Sequence, residues 1–157
     1  MSDATVIAPG TPAPDFTLLR EDETEFTRAD LAGQTTVLVF YPFAFTPVCT
    51  DQLNLYDDVL DEFEAAGAKL YGVSCDTTYT QAAFRQKLGV SIEQLSDFEP
   101  KGATCRAFGV YHESGFPQRA LVILGPDGVV KWSYQAKDTG ELPGANLIFD
   151  GLSVAAH

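Results

Sequence analysis

Two hydrophobic runs with a helical pattern between them are the strongest structural signal in the chain. Residues 35–41 read TTVLVFY and residues 69–74 read KLYGVS, and such runs are typical of strands that are buried on both faces of a sheet. Between them, residues 47–66 place apolar side chains at helical spacing with acidic side chains mostly opposite, and Gly67 follows as a stop signal. This order predicts a right-handed βαβ unit.

Shorter elements are predicted on both sides of this unit. Residues 1–14 are expected to form an extended lead-in, and the alternation at 15–19 followed by a polar turn at 21–25 predicts a small hairpin. The remaining predicted elements are, in order, helix 79–88, loop 95–97, helix 101–108, strand 119–124, turn 125–128, strand 129–134 and helix 146–155. The order predicts an α/β protein with the thioredoxin-like fold, a mixed β-sheet flanked by helices with an N-terminal hairpin.

Length and charge narrow the class of protein. The chain has 157 residues, which fits a single domain over residues 1–157. Its 10 Lys and Arg against 22 Asp and Glu give a net charge of −12, which disfavours binding to nucleic acid or to an anionic membrane surface. Residues 1–10 contain no basic segment followed by an apolar run, so we expect no secretory signal, no membrane anchor and a cytoplasmic location.

The three cysteines, Cys49, Cys75 and Cys105, are the candidate chemical groups. An odd number argues against a disulfide framework, and Gln52 stands where a CxxC pair would need its second cysteine, which excludes a thioredoxin-type dithiol reductase. Their wide spacing, with only two His in the chain, does not predict a metal site. Each cysteine is therefore either a small buried residue or a reactive thiol. We interpret Cys75 as a core residue at a strand end and Cys105 as semi-buried and structural.

The surroundings of Cys49 favour a reactive thiol. Thr46 is a preferred helix N-cap and Pro47 suits the first helical position, so Cys49 becomes the third residue of the helix. Amide groups in a first helical turn lack intrahelical partners and carry partial positive charge, so they stabilise a thiolate. Phe43 and Phe45 in the preceding loop are expected to exclude water from the site.

The pattern Pro-x-x-x-Thr-x-x-Cys, formed by Pro42, Thr46 and Cys49, resembles the active-site signature of the peroxiredoxins. The resemblance extends over nearly the whole chain, with further family landmarks at residues 10–18, residues 95–97 and Arg119. Within the family, the chain is most similar to the AhpE-like subfamily, on residues 40–49 and 96–103.

The resemblance implies a thiol peroxidase that reduces hydrogen peroxide and organic hydroperoxides, and no residue pattern indicates a metal, flavin or nucleotide cofactor. Cys49 would be the peroxidatic cysteine, whose thiolate attacks the hydroperoxide and becomes a sulfenic acid. Thr46, the Cys49 amide and Arg119 would donate hydrogen bonds to the peroxide oxygens, and Pro42 would shield the sulfenic acid. Many relatives carry Glu where this chain has Gln52, which can hydrogen-bond Arg119 but cannot neutralise it.

The resemblance leaves the regeneration of Cys49 open. The chain lacks the second cysteines of the two-cysteine subfamilies, so we expect a one-cysteine mechanism in which a low-molecular-weight thiol, or a thioredoxin-like or glutaredoxin-like protein, reduces the sulfenic acid. The alternatives are Cys105 or Cys75 as a resolving thiol, or a peroxide sensor without turnover. Related proteins often dimerise near the active site, so a homodimer or higher homo-oligomer is expected. Its apolar surface would include Phe43, Phe45 and Phe116.

Overall fold

The structure is a computed structural model that describes residues 5–155, and its centre is a seven-stranded β-sheet. The strands are β1 (Thr17–Leu19), β2 (Glu25–Thr27), β3 (Thr35–Phe40), β4 (Ala68–Ser74), β5 (Glu93–Ser96), β6 (Tyr111–His112), β7 (Phe116–Pro117), β8 (Ala120–Leu124) and β9 (Val130–Gln135). The sheet order is β2-β1-β5-β4-β3-β8-β9, and β6 pairs with β7 in a separate hairpin. Strands β3, β4 and β5 are parallel and the other pairs are antiparallel, so the predicted mixed sheet is confirmed. Residues 1–4 of the predicted lead-in and residues 156–157 lie outside the described residues.

The helices within residues 5–155 are a 3-10 helix (Arg28–Leu31), α1 (Pro47–Asp58), α2 (Leu60–Ala65), α3 (Thr78–Leu88), α4 (Ala103–Ala107) and α5 (Ala145–Ala155). The prediction of one helix over residues 47–66 is wrong at Val59, whose φ of −119° and ψ of 20° separate α1 from α2. Asp57 and Asp58 at the C-terminal end of α1 oppose the helix dipole, and β-branched Val59 is a weak helix former. None of these helices is long and apolar enough to cross a membrane.

The sheet separates two hydrophobic cores. Alternate residues of β3 point to opposite faces, so Val37 and Val39 pack in one core while Leu38 and Phe40 pack in the other. Side chains from α1, α2, α3 and α5 fill the first core, and we call this side the α1 face. Side chains from α4 and the N-terminal hairpin fill the second core, which we call the α4 face. Two sites on opposite faces are therefore separated by a layer of buried strands.

The prediction of a loop at residues 95–97 is partly wrong, because β5 ends at Ser96 and lies between β1 and β4. The segment carries no hydrophobic pattern, since Gln94 and Ser96 are polar but buried. Specific hydrogen bonds compensate for that burial: the Tyr41 hydroxyl donates to Gln94 Oε1 at 2.6 Å and Ser96 Oγ donates to the Asp76 carbonyl at 2.5 Å. The 3-10 helix and the β6–β7 hairpin are likewise absent from the sequence prediction.

Strands β3, β4 and β5 end at one edge of the sheet, because they are parallel and in register. The segments that follow them are residues 41–46 after β3, Cys75 and Asp76 after β4, and Asp97 after β5. Antiparallel β8 begins at the same edge, with Arg119 directly before it. This edge brings together the candidate residues, as α/β sheets commonly do.

Candidate active site

Cys49 is held at the start of α1 by a tight turn that follows β3. It is the third residue of α1 and has no exposed surface, and Pro47 is the first residue, as predicted. Phe45 adopts a φ of +69°, a left-handed conformation that is uncommon for a residue other than glycine. The turn thereby reverses the chain and lets α1 start against the end of β3.

Thr46 occupies the N-cap position but does not cap the helix with its side chain. Its backbone is extended, with φ −87° and ψ 154°, whereas its hydroxyl donates to the Phe43 carbonyl at 2.8 Å. The predicted position is therefore right and the predicted side-chain cap is wrong. The Thr46 side chain therefore accepts no hydrogen bond from the amides in the first turn of α1, the turn that contains Cys49.

Arg119 contacts the Cys49 sulfur inside the protein. Its position follows from the pairing of β3 with β8, in which Phe40 opposes Ala120, so Arg119 lies beside the end of β3. Its Nη2 atom donates to Cys49 Sγ at 3.4 Å, and the residue is 2% exposed. A guanidinium at this distance stabilises a thiolate over a neutral thiol.

The other partners of Arg119 are all neutral. Nη1 donates to Gln52 Oε1 at 2.6 Å, and Nε and Nη2 both donate to the Thr139 carbonyl, at 3.0 and 2.9 Å. Among residues 5–155, no carboxylate forms an ion pair with Arg119. Burying an uncompensated cation is costly, so Arg119 favours negative charge that develops beside it.

Gln52 is held in place by a second hydrogen bond. Its Nε2 donates to the Tyr56 hydroxyl at 3.1 Å, and that hydroxyl donates to the Pro143 carbonyl at 2.7 Å. Burial raises the pKa of Tyr56 to about 12, although the hydrogen bond from Gln52 and the charge of Arg119 lower it in part. Tyr56 therefore stays neutral at physiological pH, and the whole chain of contacts adds no negative charge beside Arg119.

The aromatic residues of the active-site loop lie at its outer surface. Phe43 is 43% exposed and its ring packs against Phe116 at 5.3 Å between centroids, while Phe45 is 48% exposed and packs against Phe84 at 5.1 Å. Pro42 is buried where β3 leads into the loop. The two phenylalanines thus cover the loop only partly, and each keeps about half of its surface free.

Three contributors to the site were missed by the sequence analysis. Asp76 anchors the loop, because its Oδ2 accepts hydrogen bonds from the Ala44 amide and from Ser74 Oγ, each at 2.8 Å. Tyr56 follows Gln52 by one turn on the same side of α1, so helical periodicity could have indicated it. Thr139 acts through its backbone carbonyl, for which no side-chain pattern exists.

Cys75 and Cys105 lie on the α4 face, whereas Cys49 lies on the α1 face. Cys75 is buried, as predicted, but the prediction of a semi-buried Cys105 is wrong, because the residue has no exposed surface. Their sulfurs and a carboxylate oxygen of Asp97 all lie within 4.8 Å of one another, a grouping that the spacing of the cysteines did not predict. A structural zinc site uses four protein ligands, and this group supplies three.

Comparison with known proteins identifies the family to which the chain is similar. The sequence model of the AhpC/TSA family matches residues 9–133. Alkyl hydroperoxide reductase E of Mycobacterium tuberculosis is 32% identical over 146 residues, which cover 92% of this chain and 95% of the relative. Peroxiredoxin Bcp of Escherichia coli is 30% identical over 145 residues, which cover 92% and 86%.

A solved structure is similar along almost the full length. The crystal structure of AhpC from Enterococcus faecalis superposes with a TM-score of 0.85 at 25% sequence identity. The match covers 96% of this chain and 93% of the AhpC chain. The likeness confirms the predicted thioredoxin-like fold. Since the family model spans most of the chain, the protein belongs to the AhpC/TSA family and is a peroxiredoxin, a thiol peroxidase with similarity to the AhpE-like group.

Proposed function

We propose that the protein reduces hydrogen peroxide and organic hydroperoxides with Cys49 as the peroxidatic residue. The Cys49 thiolate attacks one oxygen of the hydroperoxide, the O–O bond breaks, Cys49 becomes a sulfenic acid and the other oxygen leaves as water or an alcohol. The observation that carries this proposal is the buried contact of Arg119 Nη2 with Cys49 Sγ at 3.4 Å, with no carboxylate partner for Arg119 among residues 5–155.

Three groups are proposed to hold the peroxide. Arg119 and the Cys49 amide donate to the oxygens as negative charge develops on the leaving oxygen. The Thr46 hydroxyl is a third donor, but it must first release the Phe43 carbonyl, to which it donates at 2.8 Å. Pro42, buried at the start of the loop, would then limit access of a second peroxide to the sulfenic acid.

Access to Cys49 requires movement of the loop. The residue has no exposed surface, so a hydroperoxide reaches the sulfur only when the loop that carries Phe43 and Phe45 opens. The Ala44 amide donates a hydrogen bond to Asp76 that anchors the loop. We propose that this opening, followed by closure, admits the substrate and then excludes water.

The catalytic cycle is proposed to use one cysteine. Cys75 and Cys105 lie across the sheet from Cys49, which supports reduction of the sulfenic acid by an external low-molecular-weight thiol or by a thioredoxin-like or glutaredoxin-like protein. Resolution by Cys105 or Cys75 would require the first turn of α1 to unfold and the chain to pass the edge of the sheet.

Assembly and location are further parts of the proposal. The partly exposed rings of Phe43 and Phe45 support a homodimer or higher homo-oligomer that buries them. Three free cysteines are typical of a reducing compartment, which supports a cytoplasmic location. The packing of N-terminal and C-terminal elements on one sheet supports a single domain over the chain.

Turnover measurements on a variant that keeps Cys49 as its only cysteine test the cycle. The double variant Cys75→Ser/Cys105→Ser should consume hydrogen peroxide and an alkyl hydroperoxide at the wild-type rate with a small thiol or a redoxin as the reductant. Loss of turnover in this variant, together with a Cys49–Cys75 or Cys49–Cys105 disulfide in the wild type, would establish the two-cysteine alternative. Rapid oxidation of Cys49 without turnover under all of these reductants would indicate a peroxide sensor.

A further inference from the structure

Cys75 and Cys105 form a thiol pair that the peroxidase reaction does not use. We propose that this pair is a second redox site, in which excess hydroperoxide converts Cys75 and Cys105 to an intramolecular disulfide without the participation of Cys49. The proposal goes beyond the function of the Cys49 site and concerns the opposite face of the sheet.

The geometry of the pair follows from the parallel pairing of β4 with β5. Ser74 and Ser96 are register partners, and the Asp97 amide donates to the Ser74 carbonyl at 2.8 Å, so Cys75 and Asp97 leave the sheet side by side. Asp97 then fixes α4, since its two oxygens accept from the amides of Thr104 and Cys105 at 3.1 and 2.7 Å. This places Cys105 Sγ within 4.8 Å of Cys75 Sγ, so the sulfurs need to approach by at most about 2.8 Å to reach the length of a disulfide bond.

The two thiols differ in exposure and in surroundings, and these differences indicate that Cys75 is oxidised first. Cys75 is 7% exposed and Cys105 has no exposed surface, so the hydroperoxide reaches Cys75 first. Burial raises the pKa of the Cys105 thiol, and Cys75 and Asp97 raise it further, which makes Cys105 the poorer first nucleophile. The neighbouring Asp97 carboxylate is placed to accept the Cys105 proton when that sulfur reacts.

The reaction balances with the hydroperoxide as the only oxidant. Cys75 sulfur attacks one peroxide oxygen, the O–O bond breaks, and Cys75 sulfenic acid and an alcohol, or water, are formed. Cys105 sulfur then attacks Cys75 sulfur, its proton passes to Asp97, the S–O bond breaks, and the departing hydroxide takes up a proton as water. In sum, two thiols lose two electrons and two protons, and one hydroperoxide is reduced.

A bound metal ion is the competing use of these residues, and the structure favours the dithiol. A structural zinc site would need a fourth protein ligand, and both Asp97 oxygens already accept backbone hydrogen bonds. Zn²⁺ bound by two thiolates and one carboxylate would also leave a net charge of about −1 in a buried site where no described residue offers Asp97 an ion pair.

The Cys49→Ser variant tests the proposal without interference from the peroxidatic thiol. After treatment of the folded variant with excess hydrogen peroxide, intact mass spectrometry should find a loss of two hydrogen atoms and no added oxygen, and thiol titration should fall from two thiols to none. Peptide mapping should identify a Cys75–Cys105 link that a reductant reverses. The matched control Cys49→Ser/Cys105→Ser should form no link and should accumulate sulfenic acid at Cys75. Asp97→Asn, added to Cys49→Ser, should slow closure by about 10²-fold, since the proton acceptor is lost.

Four results would overturn the proposal. The two thiols could remain free under peroxide, both could gain oxygen without a link, or disulfides could form only between chains. The fourth is one equivalent of zinc retained by the purified protein and released when either cysteine is replaced by serine. Each result is independent of whether the wild type turns over peroxide, so failure here leaves the Cys49 proposal intact.

Discussion

Cys49 and Cys105 are equally buried residues with opposite electrostatic surroundings. Cys49, on the α1 face, lies 3.4 Å from the Arg119 guanidinium. Cys105, on the α4 face, lies beside the Asp97 carboxylate and the Cys75 thiol. Each charged neighbour is itself buried, and within residues 5–155 neither Arg119 nor Asp97 has an ion-pair partner.

Burial alone therefore does not decide the reactivity of a cysteine in this protein. Because both residues are fully buried, the sign of the neighbouring charge is what separates them. Cys49 accepts a hydrogen bond from a cation, whereas burial, Cys75 and the Asp97 carboxylate raise the pKa of the Cys105 thiol. The sheet between the two faces keeps the sites apart, so a substitution can alter one face at a time.

Removal of the nucleophile should have the largest effect. Cys49→Ser is expected to lower peroxidase activity by at least about 10³-fold, because a serine hydroxyl is not ionised at neutral pH. Cys75→Ser should leave activity within about twofold of the wild type, since it alters only the α4 face. Steady-state peroxide consumption checks both variants, and equal losses in the two would remove the distinction between the faces.

Removal of the cation should have the next largest effect. Arg119→Met is expected to slow oxidation of Cys49 by about 10²-fold, as for the loss of one buried donor to a developing charge. Arg28→Met is the matched control, because Arg28 lies at the surface in an ion pair with Asp15. Stopped-flow measurement with hydrogen peroxide gives the rate, and circular dichroism verifies folding. A rate unchanged by Arg119→Met would contradict the role given to this residue.

Introduction of a carboxylate should make the α1 face resemble the α4 face. In Gln52→Glu, a carboxylate oxygen replaces Gln52 Oε1, which lies 2.6 Å from Arg119 Nη1. The guanidinium then interacts with two anions, the new carboxylate and the reacting Cys49 sulfur, and stabilises the sulfur less strongly. We expect oxidation of Cys49 to slow by about tenfold, which corresponds to about 1.4 kcal/mol. Gln34→Glu, an exposed position before β3, controls for added surface charge. A faster reaction in Gln52→Glu would show that neutrality around Arg119 is not what activates Cys49.

The smallest effect is expected on stability at the α4 face. Burial raises the pKa of Asp97 above its usual 3.8, and the amides of Cys105 and Thr104 offset this only in part. A carboxyl whose pKa is raised by folding contributes most stability when protonated, and this contribution is lost as the pH rises through the folded pKa. The free energy of unfolding of the wild type, relative to Asp97→Asn, should therefore decrease as the pH rises from below 4 towards neutrality. Urea unfolding at several pH values checks this, and a difference that grows with pH would reverse the sign.

Local patterns predicted the part of the fold that carries Cys49. The β-branched run of β3 and the turn with Pro47 need no distant partner, so the strand, the start of α1 and the place of Cys49 were all predicted. The length of α1 was not, because periodicity continues through Val59 although the backbone does not. Strand β5 was not predicted, because its polar residue Gln94 is buried and its hydrogen-bond partner, Tyr41, is distant in the sequence.

The charge environment of each thiol depends on contacts between distant segments. The family resemblance implied that Gln52 can hydrogen-bond Arg119, and the 2.6 Å hydrogen bond from Arg119 Nη1 to Gln52 Oε1 confirms it. The Thr139 carbonyl was not foreseen, because any residue could supply it. The approach of Cys75 to Cys105 depends on the register of β4 with β5 and on Asp97 at the start of α4, neither of which is encoded by cysteine spacing.

Site-resolved mass spectrometry after a single equivalent of hydrogen peroxide, with a trap for sulfenic acid present, tests whether Cys49 beside Arg119 is the reactive thiol. We expect the trap to mark Cys49 alone, Cys75 and Cys105 to remain free thiols, and Arg119→Met to lose most of the label at the same reaction time. A label on Cys75 or Cys105 while Cys49 stays reduced would contradict the claim that the buried cation selects the reactive thiol.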